Sequence, residues 1–352
     1  MNINFETYKL IFVFSFILIL KNHNNFDIYQ EIIRSPKISI YLPIFNKGKF
    51  LKRSINSIQK QTLKDIEIVA VNDNSSDNSL QILIEMSKKD KRIKVVNNIE
   101  NRGTLYSKGI GILKSNGEYL MNLDPDDEIN GKKSLQLLYN KAKKFNADMI
   151  FFFAFNTKTK IKSGKFFEYN KLINQPKIYE SAFVNDYLNI IKRLNDFLFT
   201  NKLVKKELAK NIFEILKPEI YGEKWCYHED NILSILAHKY SNYSIFINKI
   251  IYIYHQNEDS SMSRRGNILE IKNILDRNRI YKKLFQNEKS KMYAGWIEVL
   301  YLFQKNINII KEDKIVKNQC IKEMEEFKNF INYNKFDESK INDINELIKK
   351  IQ

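Results

Sequence analysis

Cysteine is scarce. Cys226 and Cys320 are the two in 352 residues and stand far apart. They form neither a disulfide framework nor a metal-type spacing, so a zinc module and a disulfide-stapled fold are excluded. Two free thiols favour a reducing environment. Purely basic blocks are missing too, although the net charge is +17. Lys interleaves with acids and apolar residues, and Asn and Ile are as crowded as Lys. The charge therefore reads as composition, and no nucleic acid is expected as a partner. No internal repeat is visible. The apolar run Leu10–Leu20, LIFVFSFILIL, is broken only by Ser15. It is short for a membrane span, which needs ~20 residues. The small-residue cleavage site of a signal peptide is missing from the following KNHNNFD.

Membrane attachment through Leu10–Leu20 is nonetheless expected, because the folded pattern begins only near Pro36. A signal peptide, a short signal-anchor and an amphiphilic surface segment all stay open. With 43% hydrophobic residues, the chain can bury one sizeable core and a smaller unit.

What is present is a periodic pattern. KISIYL alternates, with Ile38, Ile40 and Leu42 on one face. Leu51, Ile55 and Ile58 follow at helical spacing. Ile66–Asn72 and Ile93–Val96 read as strands, Leu80–Lys89 and Thr104–Lys114 as helices, and Tyr119–Leu123 as a fourth strand. Such alternation implies βαβ units and a parallel sheet, whose ligands bind beyond the carboxyl ends of the strands. Pro43, Asp73 and Asp124 lie at three such ends. Further on, a helix to Phe145, the strand Met149–Phe155, a hairpin over Thr157–Lys171, helices at Ser181–Leu194 and Lys202–Phe213, strands in Ser244–Tyr254 and a helical tail are expected.

The fourth strand runs into Asp124, Pro125, Asp126 and Asp127. Three carboxylates this close repel one another unless a cation intervenes. A hard divalent ion that also holds a diphosphate answers that need. An acidic surface turn is the bland alternative. An EF-hand fits poorly, because Ile129 occupies its glycine position.

Lys37–Glu128, with later NKLVKKELAKN and HEDNIL, resembles the family 2 glycosyltransferases. The resemblance implies a GT-A fold: an α/β, Rossmann-like, mostly parallel sheet flanked by helices. It implies a segment and linker at 1–35, a nucleotide-sugar half at 36–156, an acceptor half at 157–265 and a helical extension at 266–352. It also implies metal-dependent transfer from a nucleotide-sugar, UDP-linked, to a glycan, protein or lipid hydroxyl by single inverting displacement.

The resemblance carries these roles onto residues of this chain. Pro43, Ile44 and Phe45 approach the nucleotide. Asp73 bonds the uracil. Asn101 and Gly103 precede the donor-site helix. The family's Arg-Asn pair is replaced by Lys108 and Gly109, leaving Lys108 as the phosphate partner. Asp124, Asp126 and Asp127 match the DXD-type motif that holds Mn²⁺ or Mg²⁺, the first acid also reaching the ribose. Glu229–Asp230 matches the ED pair, with Asp230 as general base and helix capping as the plain alternative. His255 falls beside the diphosphate, Lys202 matches a recurrent lysine, and Trp225 stacks on an acceptor sugar or packs in the core.

A nucleotidyltransferase is disfavoured, since PIFNKGKF is not a Gly-rich phosphate loop. A degenerate, basic GT-A binding module is the non-enzymatic alternative. Asn74-Ser75-Ser76 and Asn242-Tyr243-Ser244 are glycosylation sequons. A glycan at Asn74 would block the uracil contact, so either the domain faces the cytosol or that sequon is buried.

Overall fold

The computed structural model describes residues 35–160, 177–180, 200–222, 224–227, 229–257, 267–284, 286–287, 289–336 and 339–352. Leu10–Leu20, the helix expected at Ser181–Leu194 and most of the hairpin after Thr157 lie outside them. No helix among the described residues is long and apolar enough to cross a membrane.

The first half alternates as its periodicity demands. Strand β1 (Ile38–Ile44) leads to helix α1 (Gly48–Gln59), β2 (Ile66–Asn72) to α2 (Ser79–Lys89), and β3 (Ile93–Asn97) to α3 (Thr104–Lys114). Next come β4 (Tyr119–Asn122), the short β5 (Glu128–Ile129), α4 (Ser134–Phe145) and β6 (Met149–Asn156). Then follow β7 (Lys177–Glu180), β8 (Lys202–Lys205), α5 (Lys206–Tyr221), α6 (Glu229–Tyr240) and β9 (Tyr243–Tyr254). Helices α7 (Ile268–Leu284), α8 (Lys289–Lys305), α9 (Ile307–Glu312), α10 (Lys314–Asn334) and α11 (Ser339–Ile351) form the tail.

One sheet runs in the order β3-β2-β1-β4-β8-β6-β9-β5, with β7 also on β9. The first four strands are parallel. Beyond them β8 pairs antiparallel with both β4 and β6, and β6 pairs parallel with β9. The sheet is thus parallel over its first four strands and mixed beyond them.

The strand alternation decides the two layers. Ile38, Ile40, Leu42 and Ile44 share a core with Leu51, Ile55 and Ile58 of α1 and Leu135 and Leu138 of α4. Tyr41, facing the other way, joins Val69, Leu105, Ile112 and residues of α5 and α6. Each such aliphatic side chain contributes roughly 1.5–3 kcal/mol when fully buried. Gly111 lets α3 lie close on β1: an added Cβ would stand 2.7 Å from the Tyr41 ring. The tail builds a third core around Trp296, Phe303, Phe327 and Ile331.

Lys202–Lys205 is a strand, not the first turn of a helix, and helix α5 starts at Lys206. Leu203 packs into the first core and Val204 into the second, and insertion between β4 and β6 satisfies the backbone on both sides. The segment Ser244–Tyr254 forms one long strand rather than several.

Candidate active site

The carboxyl ends of β1, β2 and β4 converge because the strands are parallel and in step: Ile44 lies beside Asn72, and Tyr41 beside Asn122. Beyond these ends opens a cleft of about 310 Å³, lined among others by Pro43, Phe45, Asp73, Asp124, Asp126 and Asp230. These six, with Ile44, Asn101, Gly103 and Glu229, are residues singled out in the sequence that meet in one place. Asp127, Lys108 and His255 are close by but do not line it.

Asp73 is buried, and its carboxylate organises the neighbouring turn. Oδ1 accepts from Asn98 Nδ2 at 2.8 Å and from the Arg102 amide at 3.1 Å; Oδ2 accepts from the Gly103 amide at 2.8 Å. A carboxylate has about four acceptor directions, so roughly one remains for a ligand. Gly103 has φ +89°, and an added Cβ would sit 2.6 Å from the Trp225 carbonyl oxygen. This glycine lets the turn dock against 224–227, where Leu105 N–H also donates to Trp225 O at 3.2 Å. Trp225 is buried in the second core, so packing accounts for its bulk. Asn101 Oδ1 is buried without a hydrogen-bond partner among the described residues, and Asn101 lines the cleft.

The three acids after β4 diverge. Asp124 borders the cleft, and its carboxylate has no hydrogen bond among the described residues. Burial pushes this carboxyl up to about 7; Lys108 opposes the shift, and Asp230, Asp126 and Glu229 add to it. Asp126 Oδ2 accepts from Lys47 Nζ at 2.6 Å and from Asn257 Nδ2 at 3.0 Å. Asp127 turns inward: Tyr252 donates to Oδ2 at 2.6 Å and the His255 amide to Oδ1 at 2.8 Å. It ties β9 to the acidic loop. The His255 ring faces Glu128, with Nε2 and Oε1 2.7 Å apart.

Across the cleft, α6 opens with Glu229 and Asp230 in its first turn, where the helix dipole favours negative charge. Lys108, buried on α3, reaches both: Nζ lies 3.1 Å from Glu229 Oε1 and donates closely to Asp230 Oδ1. The ammonium is committed to the acidic pair rather than presented to the cleft. Burial pushes the Asp230 carboxyl above the usual carboxylate range, with Lys108 opposing and Glu229 adding to it. Lys202, buried on β8, donates to Asn201 Oδ1 at 2.8 Å.

Sequence reasoning missed four participants. Lys47 adjoins the Pro43–Phe45 turn, and its place just after a strand end is a local signal. Tyr252, Asn257 and Asn273 carry none. Asn273, on α7, accepts from the Cys226 and Tyr227 amides at 3.1 and 3.2 Å and donates to the Lys224 carbonyl at 3.3 Å. The tail thereby fixes the segment that borders the acidic pair, and Leu269 of α7 lines the cleft itself.

Residues 39–213, which supply one side of this cleft and every strand of this sheet except β9, match the family model described as Glycosyl transferase family 2. The chain belongs to that family. This family 2 glycosyltransferase is 27% identical over 288 residues to glycosyltransferase GlyG of Streptococcus pneumoniae, covering 80% of this chain and 88% of the relative. It is 28% identical over 327 residues to the cholesterol galactosyltransferase of Borreliella burgdorferi, covering 85% of each. Its fold superposes on that of S. aureus TarS 1-349, solved in complex with UDP-GlcNAc, with a TM-score of 0.65 at 18% identity, over 84% of this chain and 81% of the other. The GT-A fold and the glycosyltransferase class expected from the sequence both stand.

Proposed function

We propose that this glycosyltransferase uses a UDP-sugar and a divalent cation, and transfers the sugar to a hydroxyl with inversion. The observation that carries this reading is the shared cleft: Asp73, Asp124 and Asp126 border it from the strand ends, and Asp230 from the start of α6.

The residues fit a hard divalent ion. Asp124 offers an unbonded carboxylate and Asp126 a second one, both lining the cleft. Mg²⁺ or Mn²⁺ is normally held by one or two carboxylates together with substrate phosphates and water. Asp124 and Asp126 would hold it, while Asp127 braces the loop. When bound, the ion supplies positive charge against the diphosphate leaving group. For the base of the nucleotide, Asp73 keeps about one acceptor direction and Asn101 Oδ1 is an unpartnered buried atom. Either accepts from a pyrimidine N–H, and TarS, of similar fold, is solved with UDP-GlcNAc.

Asp230 is the general base in this reading. It takes the proton of the acceptor hydroxyl as that oxygen attacks the anomeric carbon, opposite the departing diphosphate. Its raised proton affinity moves it toward the operating range of such a base. Lys108 favours its ionised form and fixes Oδ1, leaving Oδ2 for the acceptor. The acceptor is a glycan, protein or lipid hydroxyl, and the name of the B. burgdorferi relative favours a lipid. The chain works at a membrane surface in this reading, attached through Leu10–Leu20. Asn74 is exposed, which removes burial as the reason for an unused sequon and supports a cytosolic face.

The test is a panel of nucleotide-sugars titrated calorimetrically with and without Mn²⁺, followed by turnover assays with lipid and sugar acceptors. Mn²⁺-dependent binding of one UDP-sugar, lost in Asp126→Asn, is expected. A preference for another nucleotide, or binding indifferent to Mn²⁺ and to Asp126, overturns the donor assignment. Removal of residues 1–34 should release the chain from the membrane fraction; unchanged sedimentation overturns the attachment.

A further inference from the structure

One of the two carboxylates assigned to the metal ion already holds a cation. Lys47 Nζ lies 2.6 Å from Asp126 Oδ2, and the two side chains are only 14% and 11% exposed. Asn257 Nδ2 donates to the same oxygen at 3.0 Å, and Arg53 donates to the Asp126 carbonyl. Lys47 and Asp126 both line the cleft. A divalent ion at Asp126 would stand within a few ångströms of this ammonium, where like charges repel. Ion and ammonium therefore compete for one carboxylate.

The lysine can yield without unfolding anything. Its backbone is fixed, since its amide donates to Ser79 Oγ at 3.0 Å and α1 begins at the next residue. Its four-carbon stem is flexible, and its ammonium is a point charge that needs no fixed fork geometry. Phe50, with its ring 5.6 Å from Nζ, gives the ammonium an apolar, weakly attractive flank. Once displaced, Nζ is tethered in the same cleft as the diphosphate.

We propose that Lys47 is a diphosphate-binding residue which Asp126 holds in reserve. With the cleft free of nucleotide, the ammonium neutralises Asp126 and keeps divalent ions weakly bound. When metal and nucleotide arrive together, the metal takes Asp126 and Lys47 transfers to a phosphate oxygen. Metal and nucleotide then strengthen each other's binding, as reciprocal coupling requires. This inference rests on the metal and donor assignments made above.

The test uses the full chain. Mn²⁺ affinity is measured from the electron paramagnetic resonance of free Mn²⁺, with and without UDP, and UDP affinity by calorimetry at saturating Mn²⁺. In the wild type, UDP should tighten Mn²⁺ binding. In Lys47→Met, Mn²⁺ alone should bind about tenfold tighter and UDP about tenfold weaker, the scale of one hydrogen bond to a charged group. Lys47→Arg should retain most of the UDP affinity. Lys47→Gln replaces the Met variant if thermal unfolding shows the latter to be misfolded. Wild-type coupling that persists unchanged in Lys47→Met overturns the exchange while leaving the metal assignment intact. Tighter Mn²⁺ binding with unaltered UDP affinity overturns the transfer to phosphate. A wild type whose UDP binding ignores Mn²⁺ overturns the metal assignment, and the exchange with it.

Discussion

The Lys108 ammonium, on helix α3, bonds the Asp230 carboxylate 122 residues further along the chain. It also bonds Glu229, so one buried cation sits between two acids. A buried pair contributes little net stability, but removing one partner strands the other. Lys108→Met should therefore destabilise the fold by about 3–5 kcal/mol, the range for breaking a buried ion pair. Urea unfolding measures this. Adding Asp230→Asn to the Met variant should recover part of the loss, because the stranded charge is gone; full additivity of the two substitutions would rule out direct coupling.

Asp230→Asn on its own tests the base. An amide cannot take a proton from the acceptor hydroxyl, yet it retains the size of the side chain. Donor binding should persist while transfer falls by roughly 10²–10⁴-fold. Calorimetry and initial rates on the same preparation separate the two effects. Transfer at the wild-type rate would exclude Asp230 as the base.

Gly103→Ala should damage the donor side of the cleft from within. Its φ of +89° disfavours any side chain, and the new Cβ would press on the Trp225 carbonyl oxygen at 2.6 Å. Strain of this kind costs about 1–3 kcal/mol. The melting temperature should fall and UDP affinity weaken together, since the Gly103 amide bonds Asp73 at 2.8 Å. A drop in stability with intact UDP affinity would show that the turn and the nucleotide are independent.

Glu67 supplies an acid-dependent part of the stability. Burial pushes its carboxyl up, but bonds from Lys94, Ser39 and the Asn116 amide outweigh that and leave it below the usual range. The folded state thus binds this proton more weakly than the unfolded chain does. Its contribution is complete above the unfolded carboxylate value near ~4.3 and disappears as pH falls through the lower folded value. Urea midpoints measured from pH 6 downward should decline more steeply in the wild type than in Glu67→Gln. Parallel curves would remove Glu67 from the account.

Asn273→Ala should loosen residues 224–227, which it holds by three hydrogen bonds at 3.1, 3.2 and 3.3 Å. It touches none of the donor-side acids directly, so kcat/KM for the acceptor should fall several-fold, with a smaller loss of UDP affinity passed through the Gly103 turn that docks on Trp225. Steady-state kinetics with varied acceptor tests this, and an unchanged acceptor profile would confine the tail to a packing role.

Much of the cleft was legible because strand ends are local features. Alternating apolar residues placed Ile38–Ile44 and Ile66–Asn72 in the sheet, and parallel strands bring Pro43, Asp73 and Asp124 to one edge whatever the rest of the chain does. The orientation of the side chains was not legible. DPDD reads as three equivalent acids, but the turn between β4 and β5 and its bonds to Tyr252 and the His255 amide decide which of them line the cleft. Lys202–Lys205 shows the same limit, since two distant strands impose its extended form.

The sequence by itself determined the order of strands and helices as far as Tyr119–Asn122 and the acids that follow the strand ends, because periodicity and punctuation act between residues a few positions apart. Tertiary structure alone decided that Asp127 faces Tyr252, that Lys108 faces Asp230 and that Lys47 faces Asp126. Those partners are separated by 79 to 125 positions. A buried charge takes whichever counter-charge the packing brings within reach, and no local pattern encodes that choice.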